Sequence, residues 1–479
     1  MNETFLERQY DFTSTYFCAK SGYINIPDLI KIIKNMLGGT SSQITIPIVL
    51  SILHRFSSTL FGFLNFFILA RVLPKNELGI WSIFLFVVAA FEMSKGSLLK
   101  NAHIRLILTS KNKNHSIIAG SSILVNIIFT IFFISLILFF SPNFSKWLNA
   151  GNQLSSMLIV YIPGLISMIY FAHYEAVQQS NNNFKNGFTA NLIRQLLFFL
   201  LLLVHFLKGN SIELITLVYY YTIGNFIGTL IFLILSRKYI SYTFQYSLKI
   251  IKEILGFGGF MMGGNIITQI STNLDQLLVS RYLSSEYVGH YGIASRVMYA
   301  VEIPMNGVSE ALFPTFTKAS GEGDKQSFNN YLEKSIGSLI AIMLPAILIM
   351  VCLTDFIIKV IAGKNYTDAN QILQIYLLIT LINIFKHQSS NTLLSLGKSK
   401  LHFTITLIHF AFSIGMIYLG IQEFEFLGPA YAKLLLSLAS LVMWVVFMKS
   451  LIGIKISNIF LHMIGFYPTL SKRFIKPSK

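Results

Sequence analysis

The sequence predicts an all-α integral membrane protein of about twelve transmembrane helices, arranged as two pseudo-symmetric six-helix bundles with a central cavity. Three observations support this prediction. Hydrophobic residues make up 54% of the chain and charged residues only 12%, about half the charge of an average soluble domain. Apolar runs of span length alternate with short polar segments. Two motifs recur at equivalent places in the two halves of the chain.

The apolar runs divide into six spans in each half. A run of about 20 apolar residues can cross the hydrocarbon layer as a helix. In the first half we place spans near Ile46–Ala70, Ile80–Ser94, Ile117–Phe140, Leu158–Phe171, Ala190–Leu207 and Ile215–Leu235. In the second half we place them near Phe257–Ser280, Val288–Phe313, Ile336–Leu353, Ile372–Leu394, Leu401–Leu419 and Leu427–Met448.

The basic residues predict the orientation of these spans. The net charge is +17, and most Lys and Arg residues fall in the segments that would be cytoplasmic if the N-terminus were inside. This distribution predicts that both termini are cytoplasmic. It also assigns the positive charge to membrane topology and not to nucleic-acid binding. The N-terminal stretch carries acidic residues and no apolar core near Met1, which is unlike a signal peptide.

The recurring motifs predict two related halves. Lys31-Ile32-Ile33-Lys34 and Lys249-Ile250-Ile251-Lys252 each precede the first span of a half. Four residues that follow the first span correspond, at one constant offset, to four residues that follow the seventh span. The pairs are Arg71 and Arg281, Leu73 and Leu283, Gly79 and Gly289, and Trp81 and Tyr291. An even number of spans separates the pairs, so the halves would be parallel repeats with the substrate between them. The alternative is a chance similarity of common residues.

These features divide the chain into five predicted segments. They are a cytoplasmic N-terminal tail with an interfacial helix (1–43), an N-terminal six-helix bundle (44–236), a cytoplasmic linker with an interfacial helix (237–256), a C-terminal six-helix bundle (257–449) and a basic cytoplasmic C-terminal tail (450–479).

Ionisable residues inside spans are costly, so each is a candidate for function. Arg55 and Arg296 lie deepest and are predicted to line the cavity; a buried pair of Arg296 with Asp275 or Glu310 is the alternative. Four other charged residues lie where their side chains could reach a membrane interface, and we expect them to do so: Glu92, Arg194, Lys386 and Lys433.

Polar residues also follow helical spacing in two spans. Span seven carries Asn265, Gln269, Thr272 and Gln276 beside Asp275, and span eight carries Glu302, Asn306 and Glu310. These faces predict either a water-filled cavity wall or hydrogen bonds between helices. The predicted substrate-binding residues are Arg55, Arg296, Asp275, Gln269, Asn265 and Asn306, and the predicted ion-coupling residues are Asp275, Glu302 and Glu310.

No motif for catalysis is present in the sequence. It contains no phosphate-binding Gly loop, no paired metal-ligand motif and no nucleophile with a base nearby. We therefore expect a transporter and not an enzyme, with no cofactor and no metal.

The chain resembles the bacterial polysaccharide flippases, of O-antigen or capsule type, in the multidrug/oligosaccharidyl-lipid/polysaccharide exporter superfamily. The resemblance covers about Gly38 to Lys449 and rests on Ala70-Arg71-Val72-Leu73 with Gly79, on Asp275-Gln276-Leu277-Leu278 followed by Gly289, Tyr291, Ala294 and Arg296, and on Pro314 and Gly397. The chain departs from the family in having Pro74 where a Gly is usual, and in its long N-terminal tail.

The resemblance implies alternating access that moves an undecaprenyl-pyrophosphate-linked oligosaccharide across the bacterial inner membrane, with Arg55 and Arg296 matching the family's cationic cavity residues. It also implies contact with membrane lipids, H⁺ or Na⁺ as a coupling ion, and a polysaccharide polymerase and chain-length proteins as partners. Two other functions stay open. A cation-coupled multidrug antiporter of the same fold would use Asp275, Glu302 and Glu310, and a non-transporting scaffold would tolerate loss of the central charges.

Overall fold

The computed structural model describes residues 42–109, 115–181, 183–209, 211–239, 245–321, 325–396 and 398–475. These residues form helices joined by short turns, with no strand among them, so the predicted all-α class is confirmed. The first half contains α1 (Ser42–Val72), α2 (Lys75–Lys95), a π-helical turn (Gly96–Lys100), α3 (Asn101–Thr109), α4 (His115–Trp147), α5 (Gln153–Val160), α6 (Ile162–Ser180), α7 (Lys185–Leu207) and α8 (Leu214–Leu235).

The second half follows a single 3₁₀ turn, Arg237–Tyr239. It contains α9 (Leu248–Thr272), α10 (Leu274–Tyr282), α11 (Ser285–Gly321), α12 (Lys325–Cys352), α13 (Thr354–Ala362), α14 (Ala369–Ser395), α15 (Ser399–Phe424), α16 (Gly428–Ile452) and α17 (Ile456–Ile475). Each half builds a helical lobe of its own. In the first lobe α7 packs on α1 and α8, and in the second lobe α14 packs on α11 and α16.

Within the described residues, eight helical segments are long and apolar enough to cross a membrane, or nine when the bent pair α5 and α6 counts as one span. One of the eight, Lys400–Ile452, includes both α15 and α16. The other two predicted spans lie in α1, where the described residues include an apolar helical stretch from Phe56 to Val72, and in α11.

Two predicted spans, four and seven, are interrupted within their predicted bounds, and span two extends beyond its predicted end. Span two continues from α2 through the π-helical turn, a local feature common at functional sites. Span four bends by 45° between α5 and α6, next to Pro163, whose backbone lacks an N–H for the helix ladder. Span seven is broken at Asn273, between α9 and α10.

Two of the predicted tail and linker features differ from the structure. The linker helix expected within 237–256 is not separate, because α9 begins at Leu248 and continues into span seven. The C-terminal tail contains the helix α17, which packs on α12. Glu333 of α12 accepts hydrogen bonds from Lys455 N (2.7 Å) and Asn458 Nδ2 (2.8 Å) and so fixes the start of this helix. The predicted N-terminal interfacial helix lies outside the described residues.

The two halves meet where α2 packs along α11. A Cβ atom at Gly79 would overlap the carbonyl oxygen of Ser285, and one at Gly289 would lie 3.0 Å from the carbonyl oxygen of Lys75. The contact is reciprocal, because Gly79 corresponds to Gly289, and Lys75 to Ser285, at the offset that relates the two motifs. Glycine at both positions lets the two backbones approach each other closely, as small residues do at transmembrane helix interfaces.

Arg71 and Arg281 lie at this same end of the molecule, as parallel repeats require. The Arg71 guanidinium donates to the carbonyl oxygens of Val360 and Ile361 in the second half. In the corresponding place, Asn149 of the first half donates to the carbonyl oxygen of Arg281 at 2.6 Å. Each half therefore holds the other through the segment that follows its own first span.

We expect Gly79→Ala to loosen this junction. The new methyl group cannot fit without separating the helices, and such overpacking costs about 1–3 kcal/mol. Thermal unfolding of the detergent-purified protein should show a lower midpoint. Gly259→Ala in α9 is the matched control, because nothing lies within 4 Å of its Cβ position. Equal midpoints for the two variants would contradict the close contact.

Candidate functional site

A cavity of about 220 Å³ lies at the junction of the two halves. Four helices of the first half surround it, and α11 of the second half contributes one cationic side chain. The lining residues are Gly62, Asn65, Phe66, Trp81, Leu85, Ala89, Glu92, Arg194, Gln195, Phe198, Tyr221, Asn225 and Arg296. The site thus combines charged, amide and aromatic groups inside a region that is otherwise apolar.

An ion pair joins spans two and five at this cavity. Arg194 Nη1 lies 3.5 Å from Glu92 Oε1, and both side chains are largely buried. Arg194 also lies with its Cζ 5.3 Å from the centre of the Phe171 ring. The expectation that these two side chains reach the membrane interface is therefore wrong. Pairing is the other way to keep a charge within a span, because each group lowers the cost of burying its partner.

Arg296 enters the cavity from the second half. Its Cζ lies 5.5 Å from the centre of the Phe66 ring, and a Cβ at Gly62 would lie 4.0 Å from its Nη1. Within the described part of the chain, no carboxylate forms an ion pair with Arg296. The cavity lining therefore holds two guanidinium groups and one carboxylate, which leaves it net positive.

Two amide groups add hydrogen-bonding capacity to the cavity. The side-chain oxygens of Asn65 and Asn225 are buried without a hydrogen-bond partner among the described residues. Asn225 Nδ2 donates to the hydroxyl of Tyr161 at 2.6 Å, which fixes the orientation of that amide. Buried polar atoms are normally hydrogen-bonded, so these two oxygens are unsatisfied acceptors in residues of the cavity wall.

A second charged cluster lies inside the second half, at the break in span seven. Asp275 is fully buried in the first turn of α10. Lys433 of span twelve places its Nζ 2.8 Å from Asp275 Oδ2, and Tyr376 donates its hydroxyl to the same oxygen. Lys433 therefore does not reach the membrane interface, contrary to expectation, and Asp275 pairs with it instead of with Arg296.

Glu302 and Lys386 extend this cluster. Glu302 is half-buried on α11 and interacts electrostatically with Lys433 and Lys386. Lys386 Nζ lies 3.5 Å from His409 Nε2 of α15. Lys386 is therefore turned toward other ionisable groups of its own lobe and not toward the membrane interface, where it was expected.

The predicted polar face of span seven divides between two roles. Asn265 donates to Ser97 Oγ in the π-helical turn of the first half, and Gln276 Nε2 donates to Ser295 Oγ of α11 at 3.2 Å. These two side chains form hydrogen bonds between helices, one of the two alternatives for this face. Gln269 is half-buried, and its backbone oxygen accepts from Asn273 Nδ2 at 3.1 Å.

Three predicted site residues have side chains outside the described part of the structure. Arg55 lies in α1, and Asn306 and Glu310 lie in α11. Their assignment to the cavity and to ion coupling stays a prediction.

Several residues at the two sites were not identified from the sequence. Asn65, Gln195, Tyr221 and Asn225 are uncharged, and uncharged polar residues are common in spans, so no pattern distinguished them. Tyr376 lies in an apolar run, and only its contact with Asp275, which is distant in sequence, reveals its role.

Removing one partner of the Glu92–Arg194 pair should destabilise the protein. In Arg194→Gln the Glu92 carboxylate stays buried without its counter-charge, and the loss is about 1–3 kcal/mol. The double variant Glu92→Gln, Arg194→Gln removes both charges and should recover most of the lost stability. The measurement is the thermal unfolding midpoint in detergent. A double variant less stable than either single variant would show that the two side chains do not act as a pair.

The sequence was also compared with known proteins. Residues 68–371 match the family model described as "Polysaccharide biosynthesis protein". A curated relative, the "Putative O-antigen transporter" of Shigella flexneri, is 26% identical over 183 residues, which cover 38% of this chain and 43% of the relative. The chain thus spans less than half the length of that relative.

Two solved structures share the fold. A structure titled "Lipid II flippase MurJ, inward closed conformation" superposes with a TM-score of 0.73 at 16% identity and covers 90% of this chain and 93% of its own. An inward-facing multidrug resistance transporter, of the MATE family in the MOP superfamily, superposes with a TM-score of 0.70 at 13% identity. The superposition covers 88% of this chain and 98% of the transporter chain. At these identities the similarity shows a common two-lobe helical fold.

Proposed function

Because the chain belongs to the polysaccharide biosynthesis protein family, we propose that it is a flippase for surface polysaccharide synthesis, O-antigen or capsule. Its cargo would be an oligosaccharide linked to undecaprenyl pyrophosphate, moved across the bacterial inner membrane by alternating access. The activity is transport and not catalysis. Support comes from the O-antigen transporter of Shigella flexneri and from the fold shared with a lipid II flippase.

The observation that carries this proposal is the composition of the cavity at the junction. A pyrophosphate-linked glycan presents anionic phosphates and many hydroxyl groups. Arg296 supplies a guanidinium group that forms no ion pair among the described residues, and a guanidinium group matches phosphate oxygens in a bidentate geometry. Arg194, which is paired with Glu92, is the second cation of the lining. Opening of the cavity would expose the unsatisfied amide oxygens of Asn65 and Asn225 to sugar hydroxyls. Arg55, in α1, would add a third cation. Closure and opening of the lobes around this cavity would carry the head group across.

The fold alone does not separate this function from a cation-coupled multidrug antiporter, since both kinds of protein share it. Charge favours the flippase. A site for cationic drugs needs unpaired carboxylates, whereas Glu92 is paired with Arg194 and Asp275 with Lys433. Glu302 is the remaining acidic candidate among the described cavity and coupling residues. A non-transporting scaffold gains no support from a cavity of this composition.

The proposal includes an orientation and partners. Both termini would be cytoplasmic, so the Gly79–Gly289 junction would face the periplasm. Membrane lipids would surround the lobes, H⁺ or Na⁺ could drive the cycle, and a polysaccharide polymerase and chain-length proteins would use the product. The segments 44–236 and 257–449 would act as the two moving bundles.

Reporter fusions test the orientation. Tags placed at the C-terminus and in the loop between Tyr239 and Leu248 should be cytoplasmic, because the basic residues concentrate on that side. A tag at Pro74, between α1 and α2, should be periplasmic. Periplasmic access to the C-terminal tag would overturn both the topology and the proposed direction of transport.

Variants of Arg296 test the cargo site. Arg296→Gln removes the charge and should reduce polysaccharide export at least tenfold. Arg296→Lys keeps the charge but lacks the planar guanidinium group, and it should retain part of the export. The readout is surface polysaccharide at matched protein abundance. Arg281→Gln is the control, since Arg281 lies at the end of α10 and is not among the residues that line the cavity. We expect the same result for Arg55→Gln. Normal export from a cell carrying both Gln substitutions would exclude cargo binding by these arginines.

A further inference from the structure

The break in span seven leaves a cluster of oxygen atoms in the interior of the second lobe. Because α9 ends at Thr272 and α10 begins at Leu274, the backbone carbonyl of Thr272 lies at an interruption of the helix ladder. Asp275, in the next turn, is fully buried. Interrupted transmembrane helices commonly bind small cations through freed carbonyls and a nearby carboxylate.

In this protein a side chain takes the place of the ion. Lys433 Nζ donates to the carbonyl oxygen of Thr272 at 3.2 Å and lies 2.8 Å from Asp275 Oδ2. It also lies 5.0 Å from the centre of the Tyr376 ring, on which a cation is favoured electrostatically. The ammonium group is therefore bound by a carboxylate, a carbonyl and an aromatic face.

We propose that Asp275, the Thr272 carbonyl and Tyr376 form a site for a small monovalent cation, and that the Lys433 ammonium is its permanent occupant. The tether gives this ammonium a high effective concentration, so a soluble ion competes poorly with it. Na⁺ or another soluble cation consequently does not bind at Asp275 in the native protein. Any coupling ion must act elsewhere, and Glu302, which interacts electrostatically with Lys433 and Lys386, is a remaining carboxyl among the described residues.

Other charged groups around the site fit this assignment. Lys386 lies on α14, the helix that carries Tyr376, but its Nζ contacts His409, so it does not compete for Asp275. Asp275 Oδ1 has no hydrogen-bond partner among the described residues, which leaves one coordinating oxygen unused by the ammonium. A metal cation in place of the ammonium could be coordinated by this oxygen as well.

Removing the lysine side chain tests the site by binding, independently of cargo and of export. In Lys433→Ala the carboxylate loses its counter-ion, and the unfolding midpoint of the purified full-length protein should fall. Na⁺ or ethylammonium, titrated against choline at constant ionic strength, should restore it saturably. The wild type and Lys386→Ala, the matched control, should show no such response. Asp275→Asn, Lys433→Ala should be insensitive to cations and more stable than Lys433→Ala.

Three outcomes would overturn the proposal. The first is a Lys433→Ala protein that is folded but unaffected by either cation. The second is an equal response in Asp275→Asn, Lys433→Ala, which would place the ion elsewhere. The third is saturable Na⁺ binding to the wild type that Asp275→Asn abolishes, a measurement that needs no lysine variant. If Lys433→Ala does not insert, Lys433→Ser offers a short side chain with an oxygen ligand and should show the same cation dependence.

Discussion

The cost of placing charge in hydrocarbon determines how this structure is organised. A charged side chain within a span needs a partner, water or a ligand, and each lobe supplies a partner from a distant helix. Glu92 pairs with Arg194 between spans two and five, and Asp275 pairs with Lys433 between spans seven and twelve. The pairs fasten helices that the chain connects only through long intervening segments. Each pair closes its own lobe, so the lobes can move as bodies without separating a buried charge from its counter-charge.

The junction between the lobes follows a different rule. Apolar surface gives no net drive for association within lipid, and helices there associate through close packing. Gly79 and Gly289 provide this packing at one end, and each lies against the backbone of the opposite half. At the other end the π-helical turn of the first half contacts α9, where a Cβ at Gly258 would overlap the carbonyl oxygen of Leu98. These close backbone contacts lie beside a hydrophobic core that includes large side chains of both halves, such as Trp81 and Tyr291.

The sequence predicted the helical class, the approximate positions of the spans and the correspondence of the two halves, because hydrocarbon thickness fixes span length and apolar runs record it. It did not predict the helix breaks. At the break at Asn273, Thr272 accepts a hydrogen bond from Lys433, a residue far along the chain, and no local pattern contains that information. The partners of Glu92 and Lys433 were missed for the same reason: side chains near the ends of spans can either reach water or pair inward, and only the fold decides.

The two charged sites differ in net charge, and this difference assigns them separate tasks under the proposed function. Asp275 and Lys433 sum to no net charge and are covered by Tyr376, so the second lobe carries a permanent, self-contained pair. The cavity at the junction holds Arg194, Arg296 and a single carboxylate, so one positive charge has no fixed counter-ion among the described residues. A carrier must release its cargo, and a site that was fully neutral when empty would resist an anionic head group instead of attracting it. A net positive site at the boundary of the moving lobes satisfies both needs, because water can solvate Arg296 whenever the cavity opens.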